Sequence, residues 1–303
     1  MCAVSRSPTR PDVPDGDEAW CPPMGNFNSS DHPRDPSGRF ARKATPADPA
    51  RLNDLAAQTE PAAVVLPEDP AEREALAADD DTPPETLTVL AADPNAWVRL
   101  CVAGNANTPP ETLTALAADP NWKVRRSVAD NPNTPAGTLT ALADDTSAVV
   151  RRRVVGNANT PAETLTALAA DPDVDVRRSV AGNPSTPPNL LDRLAADPNL
   201  GVRQCVADNA NTPTETLTAL ADDTDDAVRW SVADNPNTPP GTLTHLADDP
   251  NTWVRQNVAG NQATPPEALA VLAADPDETV RAAALVNPNL PAAGRAAGGL
   301  LAD

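Results

Sequence analysis

The feature that most constrains the fold of this 303-residue chain is a repeat of 26 residues. The dipeptide Val-Arg occurs eight times at this interval, from Val98 to Arg281, without an insertion or a deletion. An aspartate column recurs in the same register from Asp93 to Asp275, and an asparagine column and a Thr-Pro column recur beside it. Eight units in strict register predict a solenoid, in which each unit packs against its neighbours.

The first half of the unit predicts a short helix. Val98 and Val102 are four residues apart and therefore share one apolar helix face. Asp93 is predicted to be the N-cap of this helix, with Pro94 at its first position, where a missing N–H costs nothing. Asn105 is expected to end the helix in the left-handed conformation, which asparagine tolerates better than most residues.

The second half of the unit predicts another short helix. Thr108 precedes Pro-Pro-Glu, and Thr108 with Glu111 is predicted to form a capping box. Leu113, Leu116 and Ala117 supply the apolar face. Because burying the large aliphatic side chains of one unit yields only roughly 6–12 kcal/mol, and ordering each residue costs about 1–2 kcal/mol, a single unit is not expected to fold alone.

The composition excludes several classes of protein. A net charge of −20 argues against a general nucleic-acid binder, because the phosphate backbone would repel the chain. No apolar run is long enough for a signal peptide or a membrane span, and the four cysteines form no CxxC pair, so we expect a cytoplasmic protein. Lys43 and Lys123 are the only lysines, and this bias towards arginine suggests a bacterial genome rich in G and C.

The repeat pattern resembles that of the bacterial variant leucine-rich repeat family. The residues that carry the resemblance cover about 70–290 and read N-x-N-T-P-x-E-x-L-x-x-L-A-x-D-P-x-x-x-V-R-x-x-V-A. The resemblance implies an all-α, right-handed superhelical solenoid of about eight to nine two-helix repeats, in which one helix can be 3₁₀. The family has no well-established biochemical activity. Its founding member carries a Cys-rich iron–sulfur module, but only Cys2 and Cys21 lie upstream here, too few for four thiolate ligands, so no cofactor is expected.

The ends of the chain depart from the repeat. We expect the solenoid to occupy residues 45–303, with regular repeats over about 67–290 and an atypical cap at each end. Residues 1–44 are rich in Pro, Ser, Gly and Asp without an apolar period, which predicts a disordered tail. Residues 31–40 resemble a short segment near the N-termini of some actinobacterial and phage proteins, so a docking peptide is the alternative to a plain tail. Met24 is an alternative start.

No catalytic or metal-binding motif is apparent. The two histidines are His32 in the predicted tail and His245 at a variable repeat position, and no glycine-rich phosphate loop or serine elbow occurs. The recurring arginine at position 99 is interpreted as half of an Arg–Asp ladder that links adjacent repeats. An anion-binding surface is the alternative for this column.

The variable positions of the repeat are the better candidates for function, because packing does not dictate them. Positions equivalent to 97 and 100 share one helix face, on which a basic stripe lies between tryptophans. The candidate partner-binding residues, of types common in interface hot spots, are Trp97, Lys123, Arg126, Arg152, Arg153, Arg178, Trp230 and Trp253. We expect the three tryptophans to be exposed and Arg126, Arg152 and Arg178 to form one row. Alternatively, tryptophans fill gaps between repeats and the arginines lie on a solvated face.

Two functions follow from this face. The first is a non-enzymatic interaction scaffold that binds a protein or peptide partner along the solenoid. The alternative is nucleic-acid binding through the local arginine stripe, against which the net charge of −20 weighs.

Overall fold

The structure, a computed structural model, describes residues 64–292, which contain 17 helices and no strand. These residues belong to one of the two compact units of the chain. The predicted disordered tail at residues 1–44 lies outside the described residues, as do most of the predicted N-terminal cap, up to residue 63, and most of the predicted C-terminal cap, from residue 293. None of the helices within 64–292 is long and apolar enough to cross a membrane.

Helices of nine and seven residues alternate along the chain with the predicted period. The nine-residue helices, here called the long helices, are α1 (Pro70–Ala78), α3 (Ala96–Gly104), α5 (Trp122–Asp130), α7 (Ala148–Gly156), α9 (Val174–Gly182), α11 (Leu200–Asp208), α13 (Asp226–Asp234), α15 (Thr252–Gly260) and α17 (Glu278–Val286). The seven-residue helices, here called the short helices, are α2 (Pro84–Leu90), α4 (Pro110–Leu116), α6 (Ala136–Leu142), α8 (Ala162–Leu168), α10 (Pro188–Leu194), α12 (Thr214–Leu220), α14 (Pro240–Leu246) and α16 (Pro266–Leu272). Both kinds are α-helices, so neither half of the unit is 3₁₀ in the described residues.

The core is one continuous layer between the long and the short helices. In most units the long helix buries two valines and an alanine, such as Val98, Val102 and Ala103, and the short helix buries two leucines, such as Leu113 and Leu116. Each long helix packs directly against the long helices of the adjacent repeats. This sharing of apolar faces between neighbours supplies the burial that a single unit lacks.

The long helix begins two residues later than the sequence predicted. The N-cap of α3 is Asn95, whose side-chain oxygen accepts the N–H of Trp97 at 3.0 Å, and Pro94 lies in the preceding turn. Asp93 does not cap the helix, because both of its oxygens have other donors. Oδ1 accepts the N–H of Asn95 at 2.7 Å, and Oδ2 accepts Nε of Arg73 at 2.5 Å.

The asparagine that ends the long helix is not left-handed, which corrects the second prediction for this helix. Asn105 has φ −75° and ψ 129°, an extended conformation. Its side-chain amide donates to the carbonyls of Ala77 and Asp79 in the preceding repeat, at 3.0 and 2.9 Å. Its side-chain oxygen accepts the N–H of Asn107 at 2.8 Å. The column is asparagine because this buried amide must donate and accept at once.

The predicted capping box is also absent. The N-cap of α4 is Pro109, which makes no side-chain cap bond, and Thr108 instead donates its hydroxyl to the carbonyl of Val102 at 2.5 Å. Thr108 is fully buried. The threonine therefore closes the end of the long helix by satisfying one of its last carbonyls, rather than starting the short helix.

Candidate partner-binding face

The arginine column forms a ladder between repeats, as predicted. Nε of Arg99 lies 2.6 Å from Oδ2 of Asp119, Nη2 lies 3.1 Å from Oδ1, and Nη1 donates to the carbonyl of Asp93 at 2.8 Å. The same pairing across 20 residues is made by Arg73, Arg125, Arg151, Arg177, Arg203, Arg229 and Arg255. Arg281 ends the series, with Nη1 on the carbonyl of Asp275. Because these guanidinium groups are engaged, the column is a structural element and not an anion-binding surface.

The ladder also shifts the acidity of its aspartates. Burial raises the pKa of Asp119, but the hydrogen bond from Arg99, the N–H of Asn121 and the charges of Arg99 and Arg125 outweigh burial, so the pKa lies below its usual value. The pKa is lowered in the same way, by the arginine partner against burial, at Asp93, Asp145, Asp171, Asp197, Asp223 and Asp275. These carboxylates are therefore held ionised by the fold.

Further polar contacts link the repeats and account for the remaining recurring columns. Side-chain amides two residues after the buried asparagines donate to carbonyls 27 residues earlier, for example from Asn159 to Pro132 at 2.7 Å. On the short helices, hydroxyl pairs join neighbours, as between Thr114 and Thr138 at 2.8 Å. Since Thr114 donates its proton to Pro110, Thr138 is the donor of that pair.

The positions that packing does not use lie together on the long helices. We define the long-helix face as the positions equivalent to 97, 100, 101 and 104, which are spaced three, four and seven residues apart and therefore share one side of each helix. The valines of these helices are buried and the arginine at position 99 is in the ladder. Side chains on the long-helix face vary between repeats and are mostly half-buried or exposed.

Two of the three candidate tryptophans are exposed as expected, and the third is not. Trp97 is 48% exposed and Trp253 is 64% exposed. Trp230 is half-buried and packs against the core, so its predicted exposure is wrong. Trp230 occupies the position of Leu100, which also packs against the core, whereas Trp97 and Trp253 share the more peripheral position 97.

The five candidate cations come from three consecutive long helices. We call them the basic patch: Lys123 and Arg126 on α5, Arg152 and Arg153 on α7, and Arg178 on α9. Arg126, Arg152 and Arg178 hold equivalent positions on helices that pack directly against one another. Arg178 extends towards α11, where its Nε lies 3.3 Å from the place a Cβ would take at Gly201. A side chain at Gly201 would therefore press on this guanidinium.

The basic patch is only partly neutralised by its neighbours. Nε of Arg126 and Nη1 of Arg153 lie 3.7 and 3.5 Å from the carboxylate of Asp130, and Nη1 of Arg178 lies 3.3 Å from Asp175. The Arg152 side chain is exposed and has no hydrogen bond or ion pair within the described part of the chain. These distances are longer than those of the ladder, so the patch keeps guanidinium donors available.

Arg153 stands out within its column. The equivalent positions of the other repeats from α3 onwards carry Cys101, Ser127, Ser179, Cys205, Ser231, Asn257 and Ala283. Nε of Arg153 is buried and has no hydrogen-bond acceptor. A shallow cavity of about 330 Å³ beside it is lined by Asp130, Arg152, Gly156, Asn157 and Ser179.

An aromatic pair borders the basic patch. Nζ of Lys123 lies 5.6 Å from the ring centroid of Trp97 and 5.9 Å from that of Trp122. Both contacts are within cation–π range, so Lys123 connects the exposed Trp97 ring to the arginines.

Sequence reasoning missed Asp130 on this face and Trp122 beside it, because it followed only positions 97 and 100. Position 104, held by Asp130, lies four residues after position 100 and so belongs to the same face. Trp122 precedes position 97 by one residue, and its contact with Lys123 depends on side-chain direction that spacing does not give. Helix geometry was the available signal for Asp130.

Two-helix units that stack in register and are joined by repeated polar contacts define a helical-repeat solenoid. The leucine rich repeat variant family model matches residues 96–121, 122–147, 226–251 and 252–277, and the model of the Leucine Rich Repeat Variant domain matches residues 150–210. Together these matches cover more than half of the chain, which belongs to the leucine-rich repeat variant family.

One solved structure supports this assignment, and two others are more distant. A structure described as a leucine-rich repeat variant with a novel repetitive protein structural motif is 29% identical, with a TM-score of 0.58 over 80% of this chain and 99% of that chain. YibA of Escherichia coli is 18% identical, with a TM-score of 0.41 over 73% of this chain and 96% of that chain. A designed armadillo repeat protein is 16% identical, with a TM-score of 0.26 over 66% of this chain and 96% of that chain. No curated protein matches the sequence.

Proposed function

We propose that this solenoid is a non-enzymatic interaction scaffold that binds a protein partner along the long-helix face. One observation carries the proposal. The recurring arginine, aspartate and asparagine side chains of the repeat are engaged in contacts between or within repeats, whereas the variable face keeps the exposed Trp97 and Trp253 and an Arg152 that has no ion pair with any described residue. Exposed tryptophan and arginine are the side chains most enriched in interface hot spots.

The dimensions of the face suit an extended partner. Trp97 lies on α3 and Trp253 on α15, six long-helix steps apart. At about 8–10 Å between packed helices, they are separated by roughly 50–60 Å along the array, with the basic patch between them. A protein segment that runs across the stacked helices would meet both tryptophans and the arginines in turn.

The basic patch also raises nucleic-acid binding as the second candidate function. Five cations on three adjacent helices form a local positive field, although Asp208 and Asp234 lie further along the same face and the chain carries a net charge of −20. The two functions differ in salt dependence, because phosphate contacts release counterions and lose affinity steeply as salt rises. Binding of random-sequence DNA with that dependence would favour the second candidate.

Affinity capture with matched baits tests the scaffold function. The full chain, its Arg152→Glu and Trp253→Ala variants, and a control Arg193→Glu variant are immobilised and exposed to lysate of the native host. Arg193 is exposed on the short helix α10, and its side chain makes no hydrogen bond or ion pair with any described residue, so the control matches the charge change away from the face. Partners retained by the wild type and the control, but lost by both face variants, are the expected result. Equal capture by all four baits would refute the proposal.

A further inference from the structure

The row of arginines in the basic patch has a fixed step. Arg126, Arg152 and Arg178 occupy the same position in three consecutive repeats, and their helices pack side by side. Packed helices are about 8–10 Å apart, so the backbone positions that carry the three arginines repeat at about that interval. A ligand whose binding groups repeat at a similar step can engage all three side chains.

The chemistry of the row favours carboxylates. Arg152 has no partner among the described residues, and Arg126 and Arg178 face Asp130 and Asp175 at 3.7 and 3.3 Å while remaining partly exposed. A planar guanidinium binds a carboxylate through two parallel hydrogen bonds, which shortens and strengthens the contact. Carboxylates of a partner would therefore meet donors that the fold itself leaves incompletely used.

The step of the row selects a backbone conformation. In a polyproline II segment every third residue lies on the same side, and three residues advance by about 9.3 Å. In a β-strand, residues on the same side are two positions apart and advance by only about 6.6 Å. Acidic residues along one side of a strand would therefore fall out of register with the arginines. The polyproline II repeat matches the spacing of the helices.

An exposed aromatic ring stands next to the row. Trp97 lies on α3, immediately before the helix of Lys123 and Arg126, and is 48% exposed. Proline-rich polyproline II segments dock on exposed aromatic side chains, because their preformed backbone loses little entropy on binding. The ring thus supplies a proline contact at one end of the basic patch.

We propose that the basic patch and Trp97 bind an acidic, proline-rich segment in the polyproline II conformation, with a carboxylate at every third residue. The carboxylates pair with Arg126, Arg152 and Arg178, and a proline packs on Trp97. This inference rests on the proposed scaffold function and names the kind of partner segment that the face recognises.

Synthetic peptides test the spacing. The probe is a fluorescent peptide of four Glu-Pro-Pro units, and the control peptide has the same composition with its glutamates in one block. Fluorescence anisotropy with the full chain is expected to give a dissociation constant about ten-fold lower for the spaced peptide than for the block peptide. Equal affinities would overturn the proposal, because net charge alone would then explain binding.

Protein variants test the site. Arg152→Gln and Arg152→Glu should each weaken binding of the spaced peptide by about ten-fold or more, and Arg193→Glu should leave it unchanged. Unchanged binding by both Arg152 variants would overturn the proposal. If the spaced peptide fails to bind while lysate partners are still lost by Arg152→Glu, the segment chemistry is wrong and the scaffold function stands. If Arg152→Glu and Trp253→Ala capture every wild-type partner, the scaffold function itself fails.

Discussion

At the scale of single residues, the recurring polar side chains form hydrogen bonds with backbone groups of the neighbouring repeat and of their own turn. Asn131 donates to the carbonyls of Ala103 and Asn105 at 2.8 and 2.9 Å, and its own oxygen accepts the N–H of Asn133. Few other side chains can donate and accept from one planar group of this size. Position 107 is less demanding, since Ser185 and Ala263 replace its asparagine in two repeats.

The ladder aspartates predict a loss of stability in acid. Their folded pKa values lie below the unfolded value of about 3.9, so their contribution is present above about pH 4 and is lost as pH falls through the folded values. Burial raises the pKa of Asp130 and of Asp208, so these two residues favour the folded state at low pH. The seven ladder aspartates with a lowered pKa outnumber them. Thermal midpoints recorded from pH 6 down to about pH 3 should therefore decrease. A midpoint that stays constant or rises over this interval would contradict the ladder as a stabilising element.

At the scale of helices, the sequence predicted how many there are and which faces they bury, because these depend on spacing alone. The start of the long helix and the roles of Asp93, Asn105 and Thr108 were predicted wrongly. Capping rules consider only the local sequence, whereas these side chains contact another repeat or the previous helix. The same limit applies to the site. Trp97 and Trp253 were correctly expected to be exposed, but the depth at which Trp230 packs depends on neighbouring side chains.

One helix lacks the cap that the other long helices have, and this predicts a stabilising substitution. The N-caps of the other eight are asparagine or aspartate and accept a backbone N–H, whereas Ser147, the N-cap of α7, makes no side-chain cap bond. Ser147→Asn should raise the free energy of unfolding by about 0.5–1 kcal/mol, measured by urea denaturation. As a control, Asn121→Ser at the N-cap of α5 should lower it or leave it unchanged. A decrease in stability for Ser147→Asn would show that the cap geometry of α7 differs from that of its neighbours.

At the scale of the whole array, the 26-residue register allows each repeat to meet the next through the same contacts. A solenoid of this kind has a stability close to the sum of repeat and interface terms. Removal of one unit should preserve the remaining interfaces if the register is kept, and should break them if it is not.

A pair of deletions tests this register. Deleting residues 226–251, a complete unit with α13 and α14, places Asp225 before Thr252 as its N-cap and leaves the basic patch unchanged. This variant should unfold cooperatively with a modestly lower midpoint. Deleting residues 226–249 leaves two extra residues at the junction and should lower the midpoint much further, because the helices on either side no longer match. Similar midpoints for the two deletions would show that the fold does not depend on strict register.

The central claim is that the recurring columns hold the repeats together, whereas the long-helix face is available to a partner. Substitution of two adjacent arginines, Arg151 and Arg152, tests it most directly. Arg151 pairs with Asp171 at 2.6 Å and is largely buried, whereas its neighbour Arg152 is exposed and has no ion pair with any residue that the structure describes. We predict that Arg151→Gln lowers the free energy of unfolding by about 3 kcal/mol, because the buried carboxylate of Asp171 loses its ion-pair partner. Arg152→Gln should change it by no more than about 0.5 kcal/mol. Equal losses for the two variants in urea denaturation would contradict the account.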